Sequence, residues 1–142
     1  SIDGSKEIND WFRGVDGAYD DALKGLTILN EIGLKTGIRF TATKYTIKEL
    51  NYIINLLEEL NIPRICVYHL IPSGRGSKLA NWDLSHDEKR SMIKFLLEKA
   101  LEWRDSNKES EIETVGSPED GVFIYLLLRK YDEDLAENAY NY

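Results

Sequence analysis

"GIRFTATKYTIKELNYIINLLEELNIPRICVYHLI", residues 37–71, holds two extended segments around a helical one. In GIRFTAT, Ile38, Phe40 and Ala42 fall on one face of a strand, and Arg39, Thr41 and Thr43 on the other. TIKELNYIINLLEELNIP has the apolar spacing of an amphipathic helix and is closed by Pro63, with Thr46 and Glu49 at capping-box spacing at its start. RICVYHLI is apolar on both faces, as a strand buried in a parallel sheet is. Strand, helix and strand in this order form a βαβ unit, whose crossover leaves both strand C-terminal ends on one side.

The same alternation continues outward. Upstream, AYDDALKGLTILNEIG puts Ala18, Ala22, Leu26 and Leu29 at helical spacing, with Gly33 as the stop. Downstream, SHDEKRSMIKFLLEKALEWRDS predicts a long helix capped by Ser85 with Glu88 three residues on, and EIETV (111–115) a further strand. A last helical region runs from about Pro118 to the end, with a break near Asp132. The opening SIDG has the look of a strand end with its exit turn, and EDLAENAYNY stops without a cap, so the chain is expected to be a piece of a longer protein. The fold class is α/β, with parallel strands alternating with helices.

Composition bounds the function. The 142 residues are 42% hydrophobic and 30% charged, the make-up of one ordinary globular domain. With 25 acidic against 18 scattered basic residues the net charge is -7, which argues against nucleic acid as a partner. The sequence holds no apolar run of about 18 residues, so no membrane partner is expected and a cytoplasmic location is the default. Cys66 is the only cysteine, which excludes an internal disulfide and a multi-cysteine metal site within these residues; lying in an apolar run, it reads as a buried, inert thiol.

Ligands of parallel sheets bind at the strand C-terminal ends, here SIDG, GIRFTAT and CVYHLIP. At the first, Ile2 joins the apolar set while Ser1 and Asp3 point to the opposite side. That pair fits the vicinal diol of a ribose, or, more plainly, a solvated Ser and a turn-forming Asp before Gly4. Arg39 on the inner face of its strand is costly unless an anion meets it. His69 is read either as a core imidazole or as a ligand contact. After Pro72, Gly74 and Gly76 leave Arg75 free to reach an anion, although a solvated loop Arg fits as well. The segment is no P-loop, because the Lys-Ser/Thr ending is missing. His86 reads as solvated, Trp11, Trp82 and Trp103 as packing residues, and Leu126, Leu127 and Leu128 as a buried helix face.

Three stretches carry a family resemblance: SIDGSKEINDWFRGVDGAYDDALKGLTILNEIGLKTGIRFTATKYT, CVYHLIPSGRG, and the segment from Thr114 to Gly121. The first resembles the middle of radical S-adenosylmethionine (radical SAM) enzymes of the SPASM-containing branch. In those, a Ser-x-Asp-Gly strand end is followed by a His/Asn-Asp-x-x-Arg-Gly turn, Gly-x-(Tyr/Phe) and a helix. The other two narrow the likeness to the tetrapyrrole-modifying members of alternative heme and nitrite-reductase heme biosynthesis. The resemblance implies the C-terminal part of a partial (β/α)6 barrel, with residues 1–110 as its second half and 111–142 as the helical start of a post-barrel, SPASM-linked region.

It also implies a chemistry. Such enzymes hold a [4Fe-4S] cluster on a Cys-x3-Cys-x2-Cys loop, cleave S-adenosylmethionine to a 5'-deoxyadenosyl radical, and here would act on side chains of an iron porphyrin precursor. A ferredoxin or flavodoxin is the expected electron donor. This sequence has no such cysteine triplet, so the isolated segment is expected to bind neither cofactor productively nor to turn over, with no catalytic or metal-ligating residue of its own. By position, Ser1 and Asp3 match the residues that hold the ribose, Arg39 is the candidate for a carboxylate, and Leu70 and Ile71 flank the adenine. Arg75, His69, Tyr68 and Arg13 are candidates for substrate contact, although Arg13 could equally pin its turn. Two alternatives stay open: a cluster-free half-barrel binding module, and a SPASM enzyme that modifies peptides. A half-barrel exposes strand edges, so self-association is expected.

Overall fold

The computed structural model describes residues 1–71 and 73–141, with the side chains of residues 75 and 76 outside that description. Six α-helices and three strands alternate in the order α1 (Lys6–Arg13), α2 (Ala18–Glu31), β1 (Ile38–Ala42), α3 (Leu50–Glu59), β2 (Arg64–His69), α4 (His86–Asp105), β3 (Glu111–Val115), α5 (Glu119–Tyr131) and α6 (Glu133–Asn141). Short 3-10 segments, Ile47–Glu49 and Gly74–Trp82, lead into α3 and toward α4.

The strands form one parallel sheet in the order β1, β2, β3. Ile38 pairs with Ile65, Phe40 with Val67 and Ala42 with His69, which makes one face continuous. That face is fully buried, because α3 and α4 lay Leu50, Ile53, Ile54, Leu57, Met92, Ile93, Leu96 and Trp103 over it. Each such side chain contributes about 1.5–3 kcal/mol relative to exposure, so this layer fixes which face turns inward.

The other face is open. Arg39 and Thr41 on β1, Arg64, Cys66 and Tyr68 on β2, and Glu111 and Glu113 on β3 share it, and among the described residues no helix covers it. Cross-strand pairs stitch it together. Arg64 Nε donates to Glu111 Oε2 at 2.7 Å, and Cys66 Sγ donates to Glu113 Oε2 at 3.1 Å. Cys66 is therefore half-exposed on the polar face, and the reading of an inert core thiol is corrected. An apolar run cannot tell the two faces of a strand apart, whereas the register does. β3 pairs with β2 along its length, so the sheet continues across residue 110, where the sequence reading divides the chain.

Helix ends follow local chemistry in two places and depart from it in a third. Ser85 accepts the Glu88 N–H while Glu88 accepts the Ser85 N–H, the box that its spacing predicts. The helical tail breaks at Asp132, as expected. Thr46 and Glu49 make no such box: Thr46 Oγ1 donates to Thr41 O at 2.6 Å, and Glu49 Oε2 accepts the N–H of Ser5 at 2.8 Å. The long-range donor replaces the local one because Ser5 opens α1 without a side-chain cap.

Candidate functional site

The chain opens beside β1. Ile2 N–H donates to Arg39 O at 3.1 Å and its side chain is buried with the core, so residues 2–3 extend the sheet edge although they form no regular strand. Asp3 then turns under the sheet end and is completely buried. Its Oδ1 accepts the Thr41 N–H at 2.7 Å, its Oδ2 accepts Arg13 Nη2, and its own N–H goes to Asn9 Oδ1 at 3.0 Å.

The Asn9-Asp10-x-x-Arg13-Gly14 stretch, taken from the sequence as a turn, is the second half of α1 and acts as a clip. Asn9 holds the Asp3 backbone and Arg13 holds the Asp3 carboxylate. Asp10 accepts Gly17 N–H at 2.8 Å and Tyr19 N–H at 2.7 Å, capping the start of α2 from the neighbouring helix. Those backbone donors, Tyr19 first, hold the Asp10 carboxyl below its ordinary pKa. Gly14 ends α1 at φ 68°, in the left-handed region where a residue with a Cβ is strained. Every polar residue of the stretch has a structural partner, which the spacing alone did not reveal.

A cleft of about 360 Å³ opens at the strand C-terminal ends, bordered by Ser1, Arg13, Arg39, Thr41, Tyr68, His69, Leu70 and Ile71. The structure thus brings together seven residues singled out from sequence. Arg39 lies with its guanidinium 4.4 Å from the centre of the Tyr68 ring, a cation–π contact that holds the charge at the open face without neutralising it. Ile71 is 55% exposed and packs on Gly116, where a Cβ would meet its Cδ1 at 3.3 Å.

Two candidates stand differently from the sequence expectation. Asp3 lies behind the cleft rather than in it, with both carboxylate oxygens engaged by Thr41 and Arg13. As a free acceptor for a ribose it is corrected to the residue that fixes Arg13 and the end of β1. His69 borders the cleft, but its imidazole is buried on the helix side, where Nε2 donates to Asp120 Oδ2 at 2.7 Å. Alternation along β2 sends residue 69 to the face of Ile65 and Val67, so the core reading replaces the substrate contact. Its Nδ1 is buried and meets no hydrogen-bonding partner among the described residues. The side chain of Arg75 lies outside the described residues.

Sequence reasoning missed an aromatic cluster on the same end of the sheet. Trp11, Phe12, Tyr45 and Trp82 come together there, with the two indoles stacked at 5.5 Å and 11°. The Lys44 N–H donates to Trp82 O at 2.9 Å and ties the segment after β2 to the turn after β1, which brings these rings together.

The sequence has one cysteine, and among the described residues no three His, Cys, Asp or Glu side chains are grouped so as to hold a metal ion. No described helix is long and apolar enough to cross a membrane.

Comparison with curated proteins places the chain among relatives that are radical SAM enzymes of the alternative heme pathway, matched over part of their length. Over 140 residues, 99% of its length, it is 42% identical to Fe-coproporphyrin III synthase of Methanosarcina barkeri. It is 34% identical over 127 residues to pre-heme d1 synthase of Dinoroseobacter shibae, and 31% identical over 115 residues to an AdoMet-dependent heme synthase of Methanosarcina barkeri. These matches cover 99%, 89% and 80% of this chain but 35%, 31% and 30% of the relatives, so it spans about a third of their length. No family model matches the chain. No solved structure matches it either.

Proposed function

We propose that this chain is the C-terminal half of a radical SAM barrel, whose whole protein cleaves S-adenosylmethionine and acts on the carboxylate-bearing side chains of an iron porphyrin precursor. The observation that carries the reading is the 42% identity along 99% of the chain to a protein named Fe-coproporphyrin III synthase. The open polar face of a parallel sheet, with a cleft at the strand C-terminal ends, supports it, since the lumen of such a barrel has that character. In this reading the sheet through β3 belongs to the barrel, and the helices that follow it begin a SPASM-linked region. The cluster and its cysteines belong to other parts of the protein, and a ferredoxin or flavodoxin supplies the electron.

The residues of the cleft then divide the work. Ser1 meets the ribose of S-adenosylmethionine, Leu70 and Ile71 flank its adenine, and Arg39 takes a carboxylate at a face where Tyr68 keeps it oriented. Asp3 acts through Arg13 by holding that guanidinium at the rim. Arg75 is assigned to a substrate carboxylate. The open sheet face and the outer edge of β3, which no strand pairs among the described residues, favour self-association of the isolated chain.

The test is anaerobic reconstitution of the full gene product with iron and sulfide, followed by measurement of 5'-deoxyadenosine with and without an iron porphyrin precursor that still carries the side chains to be altered. Release that rises severalfold with the porphyrin is expected. Absence of release under both conditions, or release stimulated only by a peptide, overturns the reading, and the second outcome favours the peptide-modifying branch.

A further inference from the structure

Asp3 and Asp120 are the two buried carboxylates among the described residues, and each meets the C-terminal end of a strand. Asp3 accepts the Thr41 N–H and so fixes the end of β1. Asp120 stands in the first turn of α5, and its Oδ2 accepts His69 Nε2–H at 2.7 Å. His69 is the last residue of β2, and Leu70 and Ile71, which border the cleft, follow it directly. A second contact reaches the same place from the rim. The chain leaves β3 through Gly116, at φ 94°, so close that a Cβ there would stand 3.3 Å from Ile71 Cδ1 and 3.6 Å from His69 O. The connection from β3 to α5 therefore holds the end of β2 at two points, the imidazole on the helix side and Ile71 at the mouth.

Stability does not account for the buried half of this clamp. Asp120 borders a groove between α4 and α5 together with Ile93 and Phe123, so the carboxylate lies in an apolar layer. His69 Nδ1 is buried with no hydrogen-bonding partner among the described residues. A buried pair with one nitrogen unanswered carries a desolvation cost that apolar side chains of the same volume would avoid. What the pair supplies and apolar packing does not is direction. An apolar side chain at residue 69 tolerates a slide along α5, whereas a hydrogen bond of 2.7 Å holds the end of β2 at one height against that helix. The residues held in this way are the two that the cleft presents beside Arg39 and Thr41.

We propose that His69 and Asp120 are positioning residues that set Leu70 and Ile71 against the adenine of S-adenosylmethionine from the helix side, without touching it. This rests on the function proposed above and extends the cofactor site to the first turn of α5, beyond the strand ends that line the cleft.

The experiment measures thermal midpoint, and affinity for S-adenosylmethionine by calorimetry, on the full gene product reconstituted anaerobically with iron and sulfide. His69→Leu combined with Asp120→Ala replaces the pair by apolar groups of similar total volume. This double variant is expected to unfold within a few degrees of the parent and to bind about tenfold more weakly, the scale of one apolar contact with the adenine. Asp120→Asn, whose amide oxygen still accepts from Nε2, is expected to stay within about threefold of the parent. Asp120→Ala alone leaves β2 unaltered and is expected to lose about as much affinity as the double variant, so it carries the test if the double variant does not fold. Affinity within about twofold of the parent in a folded variant that lacks the pair overturns the clamp and leaves the proposed function standing. Asp120→Asn binding as weakly as the double variant also overturns it, because the hydrogen bond is then not what matters. A reconstituted parent that binds no S-adenosylmethionine removes the proposed function and the clamp together.

Discussion

Removing Arg13 should destabilise the protein more than neutralising Asp3, although both changes break the same ion pair. The asymmetry follows from burial. The Asp3 side chain is 0% exposed, while that of Arg13 is 35% exposed. In Arg13→Ala the carboxylate keeps the Thr41 N–H at 2.7 Å and loses its salt-bridge partner. A buried charge stripped of its partner costs about 3–5 kcal/mol, and partial access of water from the Arg13 side brings the expectation to about 3 kcal/mol. In Asp3→Asn the amide oxygen can still accept from Thr41, and the released guanidinium is free to rehydrate. The loss is then that of one hydrogen bond between charged groups, about 1.5–2 kcal/mol.

Equilibrium urea denaturation of the parent, both single variants and the double variant closes a cycle. If the single losses reflect one shared contact, the double variant is expected to lose less than their sum by about 1.5 kcal/mol or more. Thr41 and Arg13 also border the cleft, so both substitutions should weaken ligand binding there without Asp3 touching a ligand. A cost for Arg13→Ala no greater than that for Asp3→Asn, or single losses that simply add, would refute the clip and return Asp3 to the role of a free acceptor.

Two further tests probe the frame around the cleft. Gly4→Ala places a Cβ 2.8 Å from Glu49 Cγ and 2.9 Å from Ile8 Cγ2, pushing Glu49 off the Ser5 N–H. The expected loss is about 1–3 kcal/mol, seen as a fall of several degrees in thermal midpoint, and an unchanged midpoint would show that this corner yields. Trp103→Phe removes the Nε1–H donated to Glu58 Oε1 at 2.6 Å and leaves only Lys108 Nζ at 3.2 Å. That indole donor is the chief reason, ahead of Lys108, that the Glu58 carboxyl sits below its ordinary pKa. A depressed carboxyl stabilises the fold above its unfolded pKa and loses that contribution as pH falls through the folded value. Trp103→Phe should therefore be less stable at neutral pH and lose less on acidification through the carboxylate range. Stability curves of the two proteins that stay parallel from pH 7 to pH 3 would count against the linkage.

What was legible in the sequence is what short-range physics dictates. The alternation in GIRFTAT, the Ser85–Glu88 box and the break at Asp132 depend on residues a few positions apart, and the structure contains each, whereas α3 stops at Glu59, ahead of Pro63, where Asn61 turns left-handed at φ 51°. What was not legible depends on partners brought in by the fold. Glu49 has the right spacing to serve Thr46, yet it serves Ser5, because α1 begins with an uncapped N–H at the place where α3 starts. Asp10 stands in a stretch that reads as a turn and is the cap of another helix. His69 could have been assigned by counting in steps of two from Ile65, which puts it under the helices, but the apolar residues on both sides of β2 hid that phase.

The aromatic rim makes the same point. Trp11, Tyr45 and Trp82 lie far apart in sequence, and taken singly each is an ordinary packing residue. They meet because successive strands of a parallel sheet end on the same side, so that each following connection starts from one shared edge. Core packing can specify the strand order without specifying what those connections carry. Trp11 and Tyr45 stay half-exposed after that convergence and Trp82 is partly buried, so these rings contribute less to stability than enclosed ones would. The contrast with Trp103, enclosed and hydrogen-bonded beneath α3, separates the two settings of the same side chain within one domain.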